Sequence, residues 1–409
     1  MTVRKDGDAA LPSSQRTTVF SADQVITPTQ VLSPGWVEVC GGRIAAVGAG
    51  SALGSHEPQV MAAGHTIVPG LVEMHVHGSG GADMTALDPS EIRRACIALL
   101  ATGVTSTVVS LVTAPLAELA LGAAIVADLV HERADNRARI VGTHFEGPFL
   151  SPEHRGAHHE QSLCLPDDGA TRRILEAARG TMRMMTLAPE LPGSHKVLRI
   201  LRSQGVTAAM GHTRATYDET RLAIDGGVSV ATHLFNGMPS SHHRAPGPAL
   251  SLLDDARVTV ELINDGVHVH PVVARVAVRA AHAGRLALIS DGVAATGAVD
   301  GDYMLGRTAI RSRNGLVENA DGSSLGGGTL TLDACVARAV HTLGMSLADA
   351  IVCATIVPAQ ALGIADYAGK LASGRDADLC VLDAELCPVG VMLGGRWVIE
   401  PPQRHHGPT

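Results

Sequence analysis

Val68-Pro69-Gly70-Leu71-Val72-Glu73-Met74-His75-Val76-His77 is the stretch from which the rest of this chain can be read. Pro69-Gly70 is a turn signal, and residues 71–77 form a short, largely apolar run, the pattern of a buried strand. Side chains two apart on a strand share a face, so His75 and His77 point the same way. Gly78-Ser79-Gly80-Gly81 follows, a loop able to leave room for something bound. A single pair of histidines is as readily packing as ligand. The rest of the chain shifts the balance.

Further β-type runs follow at 104–110, 140–146, 182–187, 206–211, 228–233, 258–264 and 286–291, which makes eight with the first. Helix-like segments at 90–100, 116–133, 170–178, 195–203, 217–225 and 272–283 separate most of them. Eight β/α units of this size predict an α/β fold, a closed TIM-type (β/α)₈ barrel with its active site at the C-terminal ends of the strands. Residues 19–69 instead show short β runs and turns, including a hairpin signal at Gly41-Gly42, and residues 379–382 and 389–398 share that character. The two chain ends are therefore expected to pair into a small β-sandwich domain. The division is a disordered tail over 1–16, the small domain over 17–68 and 366–409, and the barrel over 69–365.

The composition permits this. The 409 residues are 45% hydrophobic but only 2% aromatic, so the core must be aliphatic. The net charge of −8 and the lack of a basic run argue against nucleic acid as a partner. Seven scattered cysteines without a C-x-x-C fit reduced thiols and a cytoplasmic protein. Residues 95–117 carry no charge, yet Gly103, Pro115 and six Ser or Thr mark them as helix end, buried strand and loop, not a membrane span. The N-terminus lacks the apolar core of a signal peptide.

Polar residues recur where the predicted strands end: His75 and His77, Glu146, His212, His233, Asn264-Asp265 with His268 just beyond, and Asp291. One such histidine would be unremarkable; several on one rim point to a divalent cation, since imidazole and carboxylate suit Zn2+ or Fe2+. A bound cation lowers the pKa of water toward about 7. A nearby carboxylate can then take the water's proton and return it to a leaving group. Asp291, after the last strand, is best placed for that role, the alternative being a helix N-cap before Gly292. Lysine occurs only at positions 5, 196 and 370, none of which ends a predicted barrel strand, so no lysine is available to bridge two metals, and Glu146 takes that place.

At these residues the chain resembles the N-acetylglucosamine-6-phosphate deacetylase family of the amidohydrolase superfamily. The resemblance runs from about Val19 to Val398. Its specific motifs are His144-Phe145-Glu146-Gly147-Pro148-Phe149 and Thr232-His233-Leu234-Phe235-Asn236-Gly237-Met238-Pro239. Gly211-His212-Thr213, Asn264-Asp265-Gly266-Val267-His268 and Ser290-Asp291-Gly292 add to them. The resemblance implies that Glu146, His212 and His233 bind the principal metal, and that His75 and His77 belong to the branch able to hold a second, giving one or two ions per chain with zinc first and iron second. It makes Asp291 the general base and acid, with His268 polarising the acetyl carbonyl or steadying the substrate. It places Asn236, Gly237, Leu325, Gly326 and Gly327 along the sugar, and Arg244 and His158 at the sugar phosphate, a role that suits a guanidinium. It further implies a homodimer whose partner loop completes the phosphate site, in an enzyme of amino-sugar catabolism and cell-wall recycling.

Three other readings stay open: the galactosamine epimer as substrate, another amidase or deaminase on the same barrel, and a non-catalytic sugar-phosphate sensor. The Glu-Gly-Pro motif and the missing lysine count against cyclic amidases. A sensor could dispense with Asp291.

Overall fold

In the computed structural model the described residues are 17–51, 59–61, 63–132 and 135–403, so the expected tail over 1–16 lies outside them. One parallel sheet runs in chain order through eight strands: Leu71–Glu73, Val104–Val112, Arg139–Glu146, Met182–Leu187, Thr207–Met210, Val228–Ala231, Thr259–Ile263 and Leu286–Ile289. These are the predicted barrel strands, and they are numbered first to eighth below. The first is shorter than the expected 71–77. Past Glu73 the chain keeps only an isolated parallel bridge from Val76 to Gly292, joined by Asp291 N–H to the His75 carbonyl at 3.1 Å and His77 N–H to the Gly292 carbonyl at 2.7 Å. Those bonds, with the buried Glu73 carboxylate accepting from Ser290 N–H at 3.1 Å, close the first strand onto the eighth.

Helices cover the outside. Pro89–Ala101 starts on an Asp88 cap and a proline, both suited to a helix N-terminus, and Tyr217–Asp225 starts on a Thr216/Glu219 capping box. Gly247–Asp254, between the sixth and seventh strands, was not evident in the sequence: it opens on Gly-Pro and has no charge before Asp254 to mark a polar face. At the N-terminal end of the barrel, Ile356 and Val357 of the helix Ile356–Ala361 pack with Val72, Val108, Met184 and Val230 from the barrel interior. Each such buried aliphatic side chain contributes about 1.5–3 kcal/mol, so this end is plugged largely with hydrocarbon, while the two groups of His and carboxylate side chains gather at the opposite mouth.

The chain ends pair as expected. Leu379–Leu382 lies antiparallel to Thr66–Pro69 within a six-stranded sheet, and Gly35–Cys40 pairs with Arg43–Ala49 within a four-stranded one. Phe20, Val37, Ile44, Ile67, Leu379 and Met392 form their shared core. Gly70 alone separates Thr66–Pro69 from the first barrel strand. A three-stranded antiparallel insert, Gly301–Leu305, Thr308–Arg313 and Leu316–Asn319, follows the eighth strand and was not anticipated. No helix among the described residues is long and apolar enough to cross a membrane.

Candidate active site

The candidate ligand residues sit where regular strand geometry gives out. Glu146 is the last residue of the third strand, whereas His212, His233 and Asp291 each lie two residues past the fifth, sixth and eighth. All three have left-handed backbone, at φ 46°, 27° and 47°. Such conformations cost on the order of 1–3 kcal/mol each and persist only when the surroundings impose them. Asp291 therefore begins no helix, which removes the N-cap reading of that residue. Glycine makes room beside His212: a Cβ on Gly237, itself at φ 59°, would come within 2.8 Å of His212 Nδ1.

Two triads of buried side chains face each other, Glu146/His212/His233 and His75/His77/Asp291. In the first, His212 Nε2 and His233 Nε2 lie 3.0 and 2.9 Å from Glu146 Oε1 and 3.0 Å from one another. In the second, His75 Nε2 and His77 Nε2 are 3.2 Å apart and 3.4 and 3.3 Å from Asp291 Oδ1. Glu146 joins the two, its Oε2 being 3.2 Å from His77 Nε2.

The protein fixes how these rings are protonated. His212 Nδ1 donates to the His154 carbonyl at 2.7 Å, His77 Nδ1 to the Ser110 carbonyl at 3.1 Å, and His75 Nδ1 to the Glu261 carboxylate at 3.0 Å. With Nδ1 protonated, each neutral ring presents an Nε2 lone pair to the centre. Lone pairs and carboxylate oxygens this close repel unless a cation lies among them, so the donor set fits one divalent ion in each triad. Protons compete for the same place. Burial lowers the pKa of His77, but its hydrogen bonds to Asp291 and Glu146 outweigh burial and raise it to about 9.

His158 is wired the other way. Its Nδ1 accepts from Thr113 N–H at 3.3 Å, so Nε2 carries the proton and donates to Glu146 Oε2 at 3.2 Å. Burial depresses its pKa to about 4, leaving it a neutral donor and no ligand. His144 is likewise held neutral, by burial first and then by the charge of His75, between Ser110 Oγ and Thr186 Oγ1. Burial opposes the charge on Asp291, yet His75 and His77 hold its carboxyl well below the usual range, and it stays ionised.

A cavity of about 240 Å³ opens over the triads. His158, Asn236, Gly237, His268, Leu325, Gly326 and Gly327 line it together with Glu146, His212, His233, His77 and Asp291. The insert brings Leu325–Gly327 into place: Gly328 N–H donates to the Asp291 carbonyl at 2.8 Å, and Gly292 and Gly328 form a parallel bridge. His268 Nδ1 is 2.6 Å from Asp265 Oδ2. Burial would lower the pKa of His268, but this bond and the Asp265 charge raise it. Arg244 is not among the cavity residues. It lies in a separate groove with Arg214, Thr216 and His242, its Nη1 2.7 Å from His243 Nε2.

Sequence reasoning missed Glu261, Glu73 and the cavity residues Gly156 and Ser324, and it placed Asp265 at the end of a strand without giving it a role. A charged residue inside an otherwise apolar strand, Val260-Glu261-Leu262, was the available signal for Glu261. Nothing in a linear pattern marks Gly156 or Ser324.

A barrel whose rim carries two such triads defines a metal-dependent hydrolase, and the profile of the amidohydrolase family matches residues 66–398. The chain belongs to the amidohydrolase family. Among solved structures, a mutant N-acetyl-D-glucosamine-6-phosphate deacetylase from Mycobacterium smegmatis, in complex with N-acetyl-D-glucosamine 6-phosphate, superposes with a TM-score of 0.90 at 41% identity, covering 94% of this chain and all of that one. The N-acetylgalactosamine-6-phosphate deacetylase of Escherichia coli O157:H7 is 33% identical over 330 residues, 81% of this chain and 87% of its own. The N-acetylglucosamine-6-phosphate deacetylase of Vibrio furnissii is 32% identical over 334 residues, 82% and 83% of the two chains.

Proposed function

We propose that this chain hydrolyses the N-acetyl group of N-acetylglucosamine 6-phosphate, giving acetate and glucosamine 6-phosphate. The observation that carries the reading is the pair of triads, joined by the Glu146–His77 contact, beneath a cavity that also holds His268. Relatives with that named activity support the substrate.

Glu146, His212 and His233 would hold the principal ion and His75, His77 and Asp291 a second, zinc first and iron second by the donor types. A divalent ion there supplies Lewis acidity and lowers the pKa of water. The chain's own groups do the rest. Asp291, ionised, accepts the proton of the attacking water and delivers it to the amine, which leaves poorly unless protonated. His268, whose protonated form Asp265 favours, donates from Nε2 to the acetyl oxygen as charge builds there, or steadies the substrate. Leu325–Gly327 and Asn236-Gly237 flank the sugar.

The described lining of the cavity includes no Arg or Lys, while Arg244 lies in a separate groove. A homodimer in which this loop reaches the partner's substrate would supply the missing cation. The exposed apolar side chains Leu250, Val267, Val272, Val273 and Val276 offer a face for it. Seven unpaired cysteines suit a cytoplasmic compartment.

The deciding experiment is acetate release by zinc-loaded protein from N-acetylglucosamine 6-phosphate, its galactosamine epimer and the unphosphorylated sugar. Preference for the glucosamine phosphate is expected. Higher kcat/KM on the epimer would move the assignment to N-acetylgalactosamine-6-phosphate deacetylase, and no release from any of them would end the reading.

A further inference from the structure

We infer that Glu261 is a positioning residue that ties the two metal triads together, through a single carboxylate oxygen shared by His75 and His233. The inference rests on the metal-site reading above and goes beyond its ligands.

Glu261 lies within the seventh strand, Thr259–Ile263, and is fully buried. No Arg or Lys pairs with it among the described residues. Its Oε2 accepts from His75 Nδ1 at 3.0 Å and from the backbone N–H of His233 at 3.0 Å, while Oε1 has no hydrogen-bond partner among the described residues. A carboxylate withdrawn from water without a cationic side chain is unfavourable unless something beyond packing requires it. Here each bond has a defined effect. The first holds the proton of His75 on Nδ1 and turns its Nε2 lone pair toward His77 and Asp291. The second grips His233 at its peptide, where the chain enters left-handed backbone at φ 27°. Glu146 spans the triads at the cavity face, and Glu261 spans them from behind. One oxygen thereby sets a ring in one triad and the main chain in the other, so a change at Glu261 must register in both.

The test uses the full chain stripped of metal and titrated with Co2+, whose visible absorption reports ligand geometry, against a chromophoric chelator. Glu261→Gln keeps the size and one acceptor but loses the charge. Glu261→Ala loses both. Loss of a group that orients ligands typically weakens metal binding about 10- to 100-fold. The expected result is a fall near the lower figure for Glu261→Gln and near the upper for Glu261→Ala, at both sites, with an altered Co2+ spectrum. The metal-free melting temperature should fall for Glu261→Ala, which leaves His75 Nδ1 and the His233 N–H without their acceptor, and fall less for Glu261→Gln, which keeps one. A His75→Ala/His77→Ala control should lose only the second equivalent.

Unchanged affinities in folded Glu261→Gln would overturn the inference, as would a loss confined to the second site, which would reduce Glu261 to a support for His75. Should Glu261→Ala not fold, Glu261→Gln decides alone. Wild-type protein that takes up no ion would bring down the metal reading and this inference with it. Two ions bound normally by both variants would bring down this inference only.

Discussion

Glu146 and His77 meet at 3.2 Å, Oε2 to Nε2, across the gap between the two triads. Because the other oxygen of Glu146 faces His212 and His233, one carboxylate serves both sides. Glu146→Ala should therefore lose both ions, whereas His75→Ala/His77→Ala should keep one. Elemental analysis of the purified variants checks this, and full metal content in Glu146→Ala removes Glu146 from the ligand set.

Asp291→Asn separates binding from turnover. Asparagine keeps the shape of the loop after the eighth strand but cannot accept a proton from water at neutral pH. General acid–base catalysis is worth about 10²–10⁴-fold, and kcat of the metal-loaded variant should drop at least that far. Metal occupancy must be matched first, since Asp291 is also a member of the second triad. Activity above about a tenth of wild type would take Asp291 out of the mechanism, because the weak end of that range already exceeds tenfold.

The Asp265–His268 pair predicts a pH signature. The raised pKa of His268 contributes stability that is complete below the ordinary histidine value and lost as pH climbs through the raised one. The carboxyl of Asp265 is lowered, with burial opposing and the His268 hydrogen bond prevailing, so its contribution is present above the ordinary aspartate value and lost as pH falls below it. The charged pair thus persists from the lowered Asp265 value up to the raised His268 one. Asp265→Asn should let burial pull His268 down, moving the alkaline limb of kcat/KM to lower pH. An alkaline limb that stays in place would mean that a cationic His268 is not required.

Arg244→Ala should weaken use of the 6-phosphate substrate by one charge-assisted hydrogen bond, about 1.5–3 kcal/mol or roughly 10- to 150-fold in kcat/KM. The deficit should shrink on the unphosphorylated sugar. If the loop serves the partner's cavity, mixing Arg244→Ala and Asp291→Asn chains should restore activity that neither has alone. Equal losses on both sugars would make Arg244 structural.

What the sequence made legible was the rim. His75, Glu146, His212, His233 and Asp291 follow apolar runs, and a polar residue at the end of a buried strand needs a reason. Less legible was whatever depends on partners distant in the chain. The protonation of His212 is set by the carbonyl of His154, and that of His77 by the carbonyl of Ser110, neither of which any side-chain pattern marks. The insert over 301–319 was missed because its strands are short and their burial is uneven, so alternation hardly shows. The first strand was drawn too long because Met74 and Val76 are as buried as Leu71, although their ladder bonds are largely gone. Burial was readable there, and pairing was not.

That shortened strand gives the barrel a seam. Glu73 and Ser290, 217 residues apart, are joined by a side chain where a continuous ladder would ordinarily run. His75 and His77 stand on one edge of this seam and Asp291 on the other, so an ion in the second triad would work as a buckle between the beginning and end of the barrel. The first triad, from the third, fifth and sixth strands, has no such position. Any ligand that binds only the folded form stabilises it by mass action, about 2.7 kcal/mol at a hundredfold excess over Kd. For the second ion that stabilisation should be local. Chelation should speed hydrogen exchange at the amides of His77 and Asp291 before it reaches the fourth and fifth strands. Uniform exchange along the barrel on metal removal would show that the seam holds without its buckle.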